Sequence, residues 1–131
     1  MTRDCISSLM ADRVLAKIES LDPARLRPFM QHYVEDVVVR PLLVSGMYAT
    51  SKNPSPNTPE RIYLLLVDKD QSPVERLKTV LHEAIHVQLL IAGIDEHFHD
   101  EVKVEACAER LANRLPETWA VLCDMYPRLA A

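Results

Sequence analysis

Between Ser72 and Gly93 the chain carries a helix with its own start and stop, and this stretch limits the fold more than any other. Ser72 offers an N-cap oxygen, Pro73 takes the first helical position, and Glu75 completes a capping box. Gly93 supplies the stop. Between them Leu77, Val80, Leu81, Ala84, Ile85, Val87 and Ile91 recur at helical spacing and fill an apolar arc of roughly 200°. The spacing predicts a helix over 73–91 that is buried on more than half of its circumference. Such a helix must be covered by other elements.

The flanking sequence says which. "RIYLLLVD", residues 61–68, has the length and apolarity of a strand, and "KDQ" turns it directly into the capped helix. After Gly93 an acidic, histidine-containing stretch leads into a helix over 101–115, with Val104, Ala108, Leu111 and Leu115 as its core stripe. Near the N-terminus Ile6, Leu9, Met10, Val14, Leu15, Ile18 and Leu21 predict an amphipathic helix over 4–20. Asp22-Pro23 opens a second helix, which Pro28 is expected to kink or split. The β-branched run from Val34 to Ala49 reads as strand, with Pro41 and Gly46 marking a bend, an edge or a bulge. "TSKNPSPNTP", residues 50–59, holds three prolines and no apolar side chain, and reads as a loop. The expected fold class is α+β, mostly helical with a short mixed or antiparallel sheet. With 131 residues and 48% hydrophobic content, a single domain over 1–131 is expected.

Composition narrows the function classes. A net charge of −4 with only scattered basic pairs, such as Arg25 with Arg27, gives no footprint for a phosphate backbone, so nucleic acid is not an expected partner. The opening "MTRDCISSLMADR" is charged every few residues, and no apolar run reaches the length of a membrane span. A cytoplasmic location without membrane association is expected. Cys5, Cys107 and Cys123 are odd in number and widely spaced, which predicts buried small hydrophobes rather than a disulfide framework or a thiolate zinc site.

The central helix also carries chemistry that a core helix does not need. "TVLHEAIHVQLL", residues 79–90, sets His82 and His86 four apart with Glu83 directly after the first. Residues at i and i+4 project side by side, the reach needed to bring two imidazole nitrogens to about 2.0–2.1 Å from one Zn²⁺. Glu83 faces the same cleft without needing to ligate, and can take a proton from water that the metal activates. One Zn²⁺ per chain is therefore the expected cofactor. The bland alternative is a pair of structural histidines at the edge of an apolar face. That alternative leaves Glu83 half-buried without a partner.

Zinc needs a third protein ligand. On the 101–115 helix Glu101 and Glu105 share a face one turn apart, and Glu105 lies inside the helix beside the apolar stripe, where a carboxylate without a cation is costly. Glu105 is the expected third ligand, while Glu101 and Glu109 read as a solvated face. His97 and His99 read as loop histidines or as groups supporting the ligands.

The stretch from "RIYLLLVDKDQSPVERLKTVLHEAIH" through "DEVKVEACAERLANRL" resembles the compact gluzincin-type metallopeptidases, including the ImmA/IrrE-like group and short phage and bacterial relatives. That resemblance covers about half the chain and leaves residues 1–55 outside it. It implies a small zincin-like domain, His82, His86 and Glu105 as ligands, Glu83 as general base, and a peptide or protein substrate. Strand 61–67 would then lie along the upper edge of the cleft and bind an extended substrate by strand addition. Tyr63, His97, His99 and Tyr126 are the candidates for stabilising the oxyanion. Two alternatives stay open: a SprT-like protease with His99 as third ligand, for which the expected glycine and aromatic are missing around "DEVKV", and a zinc-stabilised interaction module without turnover.

Overall fold

A computed structural model describes residues 3–20, 23–50, 63–114 and 117–130. Among them the chain forms a mostly helical α+β fold. Helices α1 (Arg3–Glu19) and α2 (Pro23–Tyr33) precede strands β1 (Val34–Arg40), β2 (Gly46–Thr50) and β3 (Tyr63–Asp68). Helices α3 (Pro73–Ile91), α4 (Glu101–Arg114) and α5 (Thr118–Met125) follow, with single 3₁₀ turns at Glu96–Phe98 and Pro127–Ala130.

The capped helix forms as its sequence dictates. In α3 the Ser72 hydroxyl accepts from the Glu75 N–H at 3.3 Å, and the Glu75 carboxylate accepts from the Ser72 N–H at 3.4 Å, which closes the capping box. At the other end Gly93 has φ +86°, a left-handed conformation that a Cβ would strain. The Gly93 N–H then reaches the Leu90 carbonyl and the Ile94 N–H the Leu89 carbonyl, each at 3.0 Å, the double bond pattern of a Schellman stop. Buried Ile94 anchors the exit. The expected apolar arc is buried except at Ile91, which is exposed; Leu89 is buried in addition.

β3 is the middle strand of a three-stranded mixed sheet, parallel to β1 and antiparallel to β2. This corrects the expectation that strand 61–67 forms the edge of a cleft: both edges of the described part, Tyr63–Asp68, are already hydrogen-bonded, and β1 and β2 are the edge strands, β2 on the side of the cleft. The run from Val34 to Ala49 is two strands rather than one, because Pro41–Ser45 breaks it and Gly46 opens β2. A register shift between Val34 and Asp36 adds a bulge to β1. Helix α2 runs unbroken through Pro28, in place of the expected kink or split. Pro28 lies in the middle of this short helix and removes one backbone donor, and buried Leu26 and Met30 on either side hold the helix to the core.

The core lies between the sheet and the helices. Val37, Leu65 and Val67 from the sheet meet Val80, Ile85 and Val87 of α3, and α4 adds Val104, Cys107, Ala108 and Leu111. Leu115 and the Cys5 side chain lie outside the described residues; Cys107 is buried and Cys123 half-buried, both free thiols. Among the described side chains of helix α1, Ala11, Leu15 and Ile18 are buried, while Ile6, Leu9 and Met10 of its expected stripe are exposed. It is fastened to α4 by Asp12–Lys103 at 3.0 Å and by Glu19–Arg110. Buried Arg76 donates to the carbonyls of Lys69 and Leu129, each at 2.8 Å, so the start of α3 ties the last turn to the β3–α3 connection. The 50–59 loop lies outside the described residues beyond Thr50. No helix among the described residues is long and apolar enough to cross a membrane.

Candidate metal centre

The four-residue spacing on α3 places the His82 and His86 rings with centroids 4.9 Å apart and their Nε2 atoms 3.2 Å apart. The opposing residues come from α4. Asp100 caps that helix, its carboxylate accepting from the N–H groups of Val102 and Lys103 at 3.0 and 3.2 Å, so Glu101 is the first helical residue. Burial of Val104, Cys107, Ala108 and Leu111 fixes the rotation of α4 and turns Glu101 and Glu105 toward α3. Glu101 Oε2 lies 3.0 Å from His82 Nε2, and Glu101 Oε1 lies 2.9 Å from His86 Nε2. His82, His86 and Glu101 form a group whose ligand atoms all lie within 4.8 Å of one another and could hold a metal ion.

Hydrogen bonds behind the histidines decide what those Nε2 atoms present. Glu105 Oε2 lies 2.6 Å from His82 Nδ1; a carboxylate only accepts, so His82 carries its proton on Nδ1. His99 Nε2 lies 3.0 Å from the Ile94 carbonyl, which also only accepts, so the neutral His99 ring leaves Nδ1 as an acceptor. His86 Nδ1 lies 2.7 Å from that atom and donates to it. With both rings neutral, the two Nε2 atoms then present lone pairs toward each other and toward the Glu101 carboxylate. Three acceptors with no donor between them repel unless a cation or a proton sits at their meeting point. Burial pushes the His86 ring below its ordinary basicity, against the pull of Glu101. The donor set fits a divalent metal ion.

Glu83 lies in the same cavity, 7% exposed. Burial pushes its carboxyl up to about 7, with Glu101 and Glu105 adding to the rise and His82 opposing it. The cavity has a volume of about 660 Å³ and is walled by α3, the start of α4 and the edge strand β2. β2 comes this close because Gly46 has no side chain: a Cβ there would stand 2.3 Å from Thr79 Cγ2 and 3.0 Å from the Leu66 carbonyl oxygen.

Of the expected site residues, His82 and His86 belong to the converging group, and Glu83 is buried beside them. Glu105, expected as third ligand, meets His82 on the ring nitrogen that faces away from His86. Glu101, read from sequence as solvated, is 69% exposed at its side chain and yet reaches both histidines. Its one hint in the sequence is that it shares a face with Glu105 one turn earlier, which does not by itself separate it from a solvated glutamate. Tyr48 on β2 was not anticipated at all; its ring centroid lies 5.7 Å from that of His86. Among the oxyanion candidates Tyr63 is core, Tyr126 packs half-buried against it, His97 is exposed and His99 is engaged through both ring nitrogens. Comparison with protein-family models, curated proteins and solved structures gave no match for this chain.

Proposed function

We propose that the chain is a zinc-dependent peptidase of the gluzincin kind, acting on a peptide or protein substrate. The observation that carries this reading is the meeting of two imidazole lone pairs and a carboxylate in one open cavity, with buried Glu83 beside them. Two nitrogens and one oxygen suit Zn²⁺; His82, His86 and Glu101 would hold it with room for a water molecule. The resemblance implies Glu105 as third ligand; the approach of Glu101 to both Nε2 atoms favours Glu101, with Glu105 and His99 orienting the two rings from behind.

The metal, when bound, supplies Lewis acidity toward a carbonyl oxygen and acidifies water in the cleft. Glu83 takes a proton from the attacking water, whose oxygen bonds to the carbonyl carbon. As the C–N bond breaks, Glu83 passes that proton to the departing nitrogen. An extended substrate would add to the outer edge of β2, which has no strand partner among the described residues.

Elemental analysis of the purified chain is expected to give one zinc per chain. Glu83→Gln is expected to keep that zinc while abolishing cleavage of a mixed-sequence fluorogenic peptide pool. Zinc without turnover in the wild type would make the metal a structural tie between α3 and α4, and the chain a zinc-stabilised interaction module. Absence of zinc, with no stability change on adding it, would remove both readings.

A further inference from the structure

Strand β2 shows two unlike faces, and its pairing fixes which groups point where. The Asp68 N–H donates to the Ser45 carbonyl at 2.9 Å, and the register runs on through Gly46 with Val67, Met47 with Leu66 and Tyr48 with Leu65. In an antiparallel ladder, residues whose backbone groups turn to the partner strand alternate with residues whose groups turn away. Ser45 and Met47 therefore bond to β3, and the N–H and C=O of Gly46 and Tyr48 point to the outer edge. Side chains alternate between the faces in the same way. A Cβ on Gly46 would meet Thr79 and Glu83, and the Tyr48 ring lies over that of His86, so these two residues face the cleft. Met47 and Ala49 face the other way. Both are exposed, opposite half-buried Leu66 and Leu64, and half-buried Val38 of β1 flanks Leu66 on its far side. That outer face is apolar across all three strands.

The cleft face is its opposite. Glu75, Glu83, Glu96, Glu101 and Glu105 line the cavity, against Lys78, which already stands 3.9 Å from Glu109. Glu83 is 7% exposed and makes no hydrogen bond or ion pair among the described residues. Exposed Glu96 meets the Tyr48 hydroxyl, at the strand itself. A divalent ion offsets two of these charges, so the wall stays negative. We propose that the substrate is an extended segment in which basic and apolar side chains alternate. Added to β2, it holds its backbone on Gly46 and Tyr48, turns every second side chain over the carboxylates and turns the others onto the apolar face around Met47. Lysine or arginine suits the first set, and valine or leucine the second. That the segment is a substrate rests on the peptidase reading above.

Three short labelled peptides test this on the zinc-loaded Glu83→Gln chain, where fluorescence anisotropy reads binding without turnover. One alternates lysine with valine, one alternates glutamate with valine, and one holds the lysines and valines in two blocks. The alternating lysine peptide should bind at least about tenfold more tightly than either of the others. About 1 M salt should erode its advantage over the glutamate peptide, as should Glu96→Lys at an exposed position. Met47→Thr, which keeps strand propensity, should weaken both alternating peptides alike. N-methylation of one alternate set of amides should abolish binding, and of the other set spare it, because only one set faces β2. Equal affinity for the three peptides overturns the proposal, and so does an equal effect of the two methylated sets. Cleavage by the wild type separates the two readings. If other peptides are cut in a Glu83-dependent way while the alternating lysine peptide binds no better than the block, this proposal fails alone. If that peptide binds as stated and Glu83→Gln cuts it at the wild-type rate, or the wild type leaves it whole, the peptidase reading fails and takes the substrate role with it.

Discussion

On one side of the cleft the His86 side chain is 5% exposed, on a helix capped at both ends, with its second ring nitrogen held by His99. On the other side, 2.9 Å away, the Glu101 side chain is 69% exposed and stands on the first residue of α4. The buried wall holds its groups in place before any ligand arrives. The exposed wall has to be ordered by the ligand, and a glutamate loses up to about 2 kcal/mol of side-chain entropy when it is fixed. Equal numbers of contacts on the two walls therefore do not give equal contributions to binding. If the group holds a metal ion, the imidazoles are expected to carry most of the affinity, buried His86 above all, and the carboxylates to refine it.

This asymmetry predicts an order of metal affinities. His86→Ala is expected to lower Zn²⁺ affinity most, by well over 100-fold, more than about 2.7 kcal/mol. Glu101→Gln comes next at about 100-fold. Glu105→Ala and His99→Ala, which only release a ring from its hydrogen bond, each cost about 10- to 100-fold. Competition with a chromophoric chelator measures all four. A larger loss at Glu105 than at Glu101 would restore the ligand set that the resemblance implies. A larger loss at Glu101 than at His86 would break the comparison of the two walls.

The same division separates what the sequence reveals from what it conceals. The α3 helix was legible because its cap, stop and apolar arc lie within one continuous stretch, and the histidine pair inherits its geometry from the helical repeat. Glu101 was not legible as a site residue, since nothing local distinguishes a glutamate in the first turn of a helix from a solvated one. Only the rotation of α4, set by buried Val104, Cys107 and Ala108, aims it at α3. Tyr48 was concealed for a related reason: its place depends on β2 being the edge strand, and strand order arises from long-range pairing. The unsplit α2 shows the converse, a local proline signal overridden by burial on both sides of it.

Gly46 is where β2, a further side of the cleft, touches the buried wall of α3, and it offers a sharper test with a smaller effect. Gly46→Ala drives a Cβ to 2.3 Å from Thr79 Cγ2 and 3.0 Å from the Leu66 carbonyl oxygen, so β2 must move off α3. The expected cost is about 1–3 kcal/mol of stability by urea unfolding. Thr79→Ser deletes the clashing methyl while keeping the hydroxyl that donates to Gln71 at 3.2 Å. The double variant should recover most of the loss, a coupling that a double-mutant cycle reads directly. Additive losses would mean that the contact with Leu66, rather than with α3, limits the approach of the edge strand.

The smallest expected effect asks whether the buried wall is as rigid as the comparison requires. Ser72→Ala removes the oxygen that accepts from the Glu75 N–H and opens the capping box at an exposed position. The loss should be about 1 kcal/mol in urea unfolding. Zinc affinity should stay within about twofold, because nearly three turns of helix, packed through Leu77, Val80 and Leu81, separate the cap from His82. Fraying from the open end would have to unpack that buried stripe before it reached the histidines, and each buried leucine or valine resists with about 1.5–3 kcal/mol. A zinc affinity that fell in step with the lost stability would mean that α3 opens as a whole, and that the histidines are held no more firmly than Glu101.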